Sequence, residues 1–173
     1  MNRTAPHVHA LWVGLLCAAL LTSCAGYKLG PIQKTAYRSV AVPMFKNHTL
    51  KPQMEAQVTN AIIKRLHANG SLAVKTVDDA DVIVRGEIVG YDRTTLRGHR
   101  LDTTVPAELR LTIQARIEAY DRVTGVAVLP ATVVTGSADA FLGADQQSAE
   151  LQALPLIAED LARKAVSLLV EGW

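Results

Sequence analysis

The side chains that could do chemistry in this 173-residue chain are few and scattered. Cys24 is a thiol closing the run Leu21-Thr22-Ser23-Cys24, and the other cysteine, Cys17, lies in the apolar stretch before it. Arg93, Arg97, His99 and Arg100 fall close together in a polar stretch. Guanidinium forks match phosphate oxygens in geometry as well as charge, so these residues could meet phosphates; the alternative is a solvated hairpin tip. His48, His67 and His99 lie far apart and lack partners at metal-ligand spacing. Asp78, Asp79 and Asp81 could hold calcium, but the glycine and distal glutamate of a calcium loop are missing, and a turn between two strands accounts for them. Glu159 and Asp160 are neighbours on a helix, so their carboxylates do not face each other. Ser-His-Asp order, a Gly-rich phosphate loop and HExxH are all absent. No catalytic set, metal or cofactor is expected.

The surroundings of Cys24 are more telling. Arg3 precedes an apolar stretch, residues 10–21, of about the length of a secretory signal core and too short to cross a bilayer as a helix. The four residues ending in Cys24 resemble the lipobox L-[AST]-[GAS]-C of bacterial lipoproteins. An ordinary signal peptide with a nearby cysteine, or an N-terminal anchor helix, are the alternatives. The lipobox resemblance implies that residues 1–23 are removed as a signal peptide. It also implies that the Cys24 thiol is diacylated, with palmitate-like chains, and that its new amine is acylated. Each buried CH₂ contributes about 0.8 kcal/mol, so two or three chains anchor stably where one does not. Ala25, in place of an aspartate that retains such proteins in the inner membrane, implies the outer membrane.

What remains after position 23 is a comfortable length for one domain with a real core. The chain carries 18 Lys and Arg against 16 Asp and Glu, and Arg3 leaves with the signal peptide. A body so close to neutral has no global basic field, so nucleic acid is not expected as a partner. It also has no thiol beyond Cys24, hence no disulfide, thiolate metal site or cysteine nucleophile. No later stretch approaches the roughly 20 apolar residues of a spanning helix, which leaves lipid as the expected membrane anchor.

The elements that must position these residues follow from hydrophobic period. Residues 24–37, with Gly26, Gly30 and Pro31, read as a lipidated cysteine and tether reaching on the order of 40 Å. Residues 38–173 then read as one domain. A strand is predicted over 38–45, with Pro43 marking an edge or strand end, and a turn over 46–49. A helix is predicted over 52–69, where Met54, Val58, Ala61, Ile62 and Leu66 form one apolar stripe and Asn69-Gly70 supply the stop. A short strand over 72–77 is followed by a long one over 82–95. In the latter, Ile83, Arg85, Glu87, Val89 and Tyr91 share one parity, and Gly86 and Gly90 mark a bulge or a close contact. Residues 96–105 read as a basic loop. Over 108–120, Leu109 to Ala119 alternate with Arg110, Thr112, Gln114, Arg116 and Glu118, the signature of a half-buried antiparallel strand. A turn at 121–125 and a strand over 126–140, irregular at Pro130, lead to a last helix capped by Asp145 or Ser148 and kinked or restarted at Pro155. The order β-α-β-β-β-α predicts an α+β two-layer sandwich: two amphipathic helices on a mostly antiparallel sheet of about four strands.

Several of these segments, in order behind the lipobox, resemble one family, the lipopolysaccharide-assembly lipoprotein LptE. They are Cys24-Ala25-Gly26-Tyr27-Lys28-Leu29, then Val40-Ala41-Val42-Pro43-Met44-Phe45-Lys46-Asn47-His48-Thr49, the helix from Pro52 through Glu55 to Leu66, and Ala80-Asp81 through Val89-Gly90-Tyr91. Family members commonly show C-G-Y, I-x-V-P-x-F-x-N-x-T and A-D-x-x-L-x-G-x-I. Ala25 and Val84 depart from that pattern. The resemblance implies a non-enzymatic, periplasm-facing outer-membrane lipoprotein that partners the LptD β-barrel. There it acts as plug and assembly chaperone and assists lipopolysaccharide transfer to the outer leaflet. Arg93, Arg97, His99 and Arg100 would then face lipopolysaccharide phosphates. The polar sheet face from Arg110 to Glu118 would hydrogen-bond to a polar barrel wall. The open alternative is a lipoprotein regulator of another envelope machine, such as an activator of a peptidoglycan synthase.

Overall fold

A computed structural model of the chain describes residues 37–98, 106–142 and 145–171. Its elements are β1 (Ser39–Ala41), β2 (Lys46–Asn47), α1 (Met54–Asn69), β3 (Ala73–Val74), β4 (Val82–Gly98), β5 (Pro106–Asp121), β6 (Ala127–Phe141) and α2 (Gln146–Glu171). The sheet runs β3-β1-β4-β5-β6, with β2 also on β4. The long strands β4, β5 and β6 pair antiparallel. The short β1, β2 and β3 pair parallel to their neighbours. The α+β, mostly antiparallel architecture is as the sequence predicts, but the sheet has six strands rather than about four.

One of the added strands has a local cause. The predicted strand 38–45 stops at Ala41, leaves the ladder for four residues and resumes as β2 on the same edge of β4. Pro43 has no N–H to give a ladder. The Phe45 N–H donates instead to the buried Thr59 Oγ1 on α1 at 3.0 Å. β2 is then fixed from the side. Asn47 Nδ2 donates to the Lys51 carbonyl and to Glu55 Oε2, both at 2.8 Å. Asn47 Oδ1 accepts from the Thr49 N–H at 2.9 Å and the Thr49 hydroxyl at 2.7 Å. The acidic turn at 78–81 likewise ties strands together. Asp81 Oδ2 accepts the N–H groups of Arg38 and Ser39 at 2.9 Å, and the Asp81 N–H donates to Ser39 Oγ at 3.0 Å.

Both helices lie on one face of the sheet. The α1 stripe Met54, Val58, Ile62 and Leu66 is buried, and Gly70 ends the helix at φ 72°, its N–H on the Leu66 carbonyl at 3.0 Å. Asp145 is the cap of α2: its carboxylate accepts the N–H groups of Gln147 and Ser148 at 3.0 and 3.1 Å. α2 runs unbroken through Pro155, so the helix does not restart there. Leu151, whose carbonyl would have bonded to a residue at 155, is solvent-exposed like Pro155 itself, so water can serve the freed carbonyl. Each large side chain between the layers, such as Ile62, Ile117 and Leu161, contributes about 1.5–3 kcal/mol by leaving water.

α2 also closes the outer edge of the sheet. A Cβ placed on Gly136 of β6 would lie 2.5 Å from the Ile157 carbonyl oxygen and 2.8 Å from the Leu161 nitrogen. At that crossing, Asp160 Oδ2 accepts the Ser137 N–H at 3.1 Å and Lys164 Nζ donates to the Thr135 carbonyl at 2.7 Å. Side chains thus occupy edge groups that would otherwise recruit another strand. No described helix is long and apolar enough to cross a membrane.

Candidate functional site

Two features of the sheet carry polar groups in organised form: its outer face, and a cluster around Glu150 on the helix side. On the outer face β5 presents Arg110, Thr112, Gln114, Arg116 and Glu118, while the alternate residues Leu109 to Ala119 are buried. Cross-strand pairing compensates the charges. Arg110 grips Asp139 of β6 with two bonds, Nε to Oδ1 at 2.7 Å and Nη2 to Oδ2 at 2.9 Å, which hold the Asp139 carboxyl below its ordinary range. Glu87 sits 3.7–3.8 Å from Lys46, His48 and Arg116. The Arg85 guanidinium lies 5.1 Å from the Tyr120 ring centre. The face offers hydrogen bonds with little net field.

The Glu150 cluster exists because β4 bulges. The register slips between Ile88 and Gly90, which inserts an unpaired residue and exchanges the faces of the residues after it as far as Thr95, where a second slip restores them. Tyr91 and Arg93 therefore stand opposite Ile113 and Leu111, on the helix side, whereas simple alternation puts Tyr91 on the outer face with Arg85. There they meet Glu150 of α2, whose side chain is only 5 % exposed. Its Oε2 accepts from Lys51 Nζ at 2.7 Å and Tyr91 Oη at 3.3 Å. Its Oε1 accepts from Arg93 Nη1 at 2.9 Å and Gln146 Nε2 at 3.2 Å. Burial by itself would raise the Glu150 carboxyl, but the bonds from Lys51, Arg93 and Gln146 outweigh it and bring it down to about 2. Burial, then the Glu150 charge, push the Tyr91 phenol up to about 12. Neither group exchanges a proton near neutral pH, so the cluster is poorly suited to acid–base catalysis and well suited to holding shape.

The structure separates residues that the sequence places together. Arg93 belongs to the Glu150 cluster. Arg97 stands on the outer face opposite Glu108, 3.9 Å from its carboxylate and 77 % exposed. His99, Arg100 and Cys24 lie outside the described residues. His48 and His67 are exposed and apart, and among the described residues no three His, Cys, Asp or Glu side chains converge as a metal site. Lys51, Tyr91 and Glu150 were not singled out from the sequence. A signal did exist for Glu150: it sits at stripe spacing from Ala153, Leu154 and Ile157, a charged residue on the buried side of an amphipathic helix.

Known proteins agree with this architecture. Three solved structures are similar. One is a hypothetical protein from Chlamydia trachomatis, 13% identical, with a TM-score of 0.55 over 78% of this chain and 96% of that one. A minor lipoprotein from Acinetobacter baumannii is 13% identical, with a TM-score of 0.53 over 78% and 94%. A protein from Xanthomonas campestris is 9% identical, with a TM-score of 0.56 over 80% and 89%. At such identities the likeness speaks for the fold alone. No curated protein matches the chain. The family model for lipopolysaccharide assembly, LptE, matches residues 37–169, nearly the whole described body, and the chain belongs to that family.

Proposed function

We propose that the chain is a non-enzymatic outer-membrane lipoprotein, anchored through lipid on Cys24 with its body in the periplasm. It assists assembly of the lipopolysaccharide translocon and transfer of lipopolysaccharide to the outer leaflet, as plug and chaperone of an LptD-like β-barrel. Membership of the LptE family carries this reading.

The geometry supports it in two ways. An outer sheet face whose charges are already paired can sit against a polar lumen wall without leaving stranded ions. The second support is distance. The chain enters the body at Arg38, tied to Asp81 at the start of β4, and Arg97 lies at the other end of that 17-residue strand. At about 3.3 Å per residue the strand spans about 55 Å. Arg97, one of the basic residues proposed to meet lipopolysaccharide phosphates, thus lies at the opposite end of β4 from the point where the chain enters the body.

Purification of the full tagged chain from its native envelope tests the reading. It is expected to retain a large outer-membrane β-barrel together with lipopolysaccharide. Recovery of a cell-wall synthase in place of the barrel would overturn it in favour of a regulator of peptidoglycan synthesis.

A further inference from the structure

The edge of β4 opposite β5 is covered along its first half and open along its second, and the boundary is sharp. β2 pairs with β4 at Glu87 and Ile88, and the His48 N–H still reaches the Ile88 carbonyl at 3.0 Å. The chain then turns away into the loop before α1. From Gly90 to Gly98 the same side of β4 has no partner strand among the described residues, while the other side pairs with β5, regularly as far as Thr95 and with register slips between Thr95 and Gly98. Residues 92 to 97 are all exposed. No proline interrupts this edge, and Thr94 and Thr95 favour extended backbone.

Where β2 leaves, an open cavity of about 490 Å³ lies in line with it, walled by Leu50, Lys51, Gly90, Tyr91, Arg93 and Glu150. An added strand continuing the line of β2 would run through this space. Leu50 projects fully into solvent beside it. The charges here are layered. The Glu150 carboxylate is beneath, 5 % exposed, while Lys51 and Arg93 above it are 28 % and 53 % exposed and keep N–H groups that Glu150 does not use. Asp92, opposite Thr112, belongs to the other face.

We infer that the edge from Gly90 to Gly98 is a strand-addition site for an extended acidic segment of a partner protein. Main-chain hydrogen bonds along β4 supply the pairing. A carboxylate on the helix-side face of the segment meets Arg93 and Lys51, and an apolar residue meets Leu50. This is recognition by sheet extension, with alternate side chains setting specificity. It goes beyond the assembly role, because it needs no lipopolysaccharide and no particular barrel.

The test uses the full chain purified in detergent and two short peptides, one alternating valine with glutamate and one alternating valine with lysine, each at millimolar concentration. Amide hydrogen exchange is read residue by residue by NMR. With the glutamate peptide, alternate amides between Gly90 and Gly98 are expected to slow about tenfold, with the core amides of α2 unchanged. The lysine peptide is expected to leave them as they were. Arg93→Gln, or Lys51→Gln should the first reduce the yield of folded protein, is expected to narrow the difference between the peptides. Lack of alternate protection with the glutamate peptide would overturn the inference, as would equal protection by both. Protection that grows with protein concentration in the absence of peptide would assign the edge to a second copy of this chain and overturn it too.

Discussion

The ring of Phe45 occupies the space that a side chain at Gly86 would need. A Cβ built on that glycine would stand 2.1 Å from two ring carbons, and the ring itself is 2 % exposed. The contact explains why the chain leaves the ladder between β1 and β2. Phe45 turns inward beneath β4, and its N–H finds Thr59 on α1 in place of a strand partner.

Gly86→Ala is expected to lower stability by about 1–3 kcal/mol, the ordinary cost of overpacking a core. Phe45→Leu made together with it should recover part of the loss, giving a coupling in a double-mutant cycle. Urea unfolding measures both. A Gly86→Ala protein with the parent's midpoint would show that the ring moves aside freely.

Gly136 plays the corresponding part beneath α2. Its neighbours are helix backbone atoms at 2.5 and 2.8 Å, which yield less easily than a side-chain tip. Gly136→Ala is therefore expected to cost about 2 kcal/mol or more and to lift α2 from β6, loosening the bonds from the Ser137 N–H to Asp160 and from Lys164 to the Thr135 carbonyl. Faster exchange at the Ser137 amide than in the parent checks this. Unchanged exchange together with lowered stability would place the strain elsewhere.

These contacts show which parts of the fold local sequence carries. The α1 stripe and the β5 alternation were legible because periodicity is set by residues three, four or two positions apart. The inward turn of Phe45 was not, since it depends on a glycine more than forty positions away in sequence. Nor was the exchange of faces after Val89: a bulge moves Tyr91 and Arg93 to the helix side without altering the apolar pattern around them. The Glu150 cluster inherits that difficulty, because three of its members reach it only through the bulge and through the loop before α1. The valine–proline–x–phenylalanine and alanine–aspartate motifs were recognised as patterns. In the structure they are one packing contact and one set of strand ties.

Arg97→Glu combined with Arg100→Glu is expected to weaken retention of lipopolysaccharide by about tenfold or more, as loss of one or two charge-assisted hydrogen bonds implies. Association with the barrel should survive. Pull-down of the variant with both readouts checks this, and undiminished lipopolysaccharide in that pull-down would remove the hairpin tip as the contact.

Cys24→Ala is expected to abolish incorporation of labelled palmitate and to release the chain from the membrane fraction, since no described helix can substitute as an anchor. Metabolic labelling followed by gel separation decides it. A variant that still takes up label would show that the acyl chains are attached elsewhere.

Glu150 makes stability depend on acid in a defined window. Its carboxyl is held at about 2 against an ordinary value of 4.5, so the folded state binds this proton more weakly than the unfolded one. The stability it confers is present above about pH 4.5 and is lost as pH falls toward 2. For a carboxylate this buried, the linked contribution is of order 3 kcal/mol. Glu150→Gln keeps an acceptor oxygen but leaves Lys51 and Arg93 without their counter-charge, so the variant should be less stable at neutral pH by about 1–3 kcal/mol. Its stability should also fall less steeply between pH 4.5 and 2 than the parent's, so the two curves converge in acid. Denaturant unfolding at several pH values measures both. Parallel curves across that range would mean that Glu150 titrates normally and that the bonds from Lys51 and Arg93 do not hold it ionised.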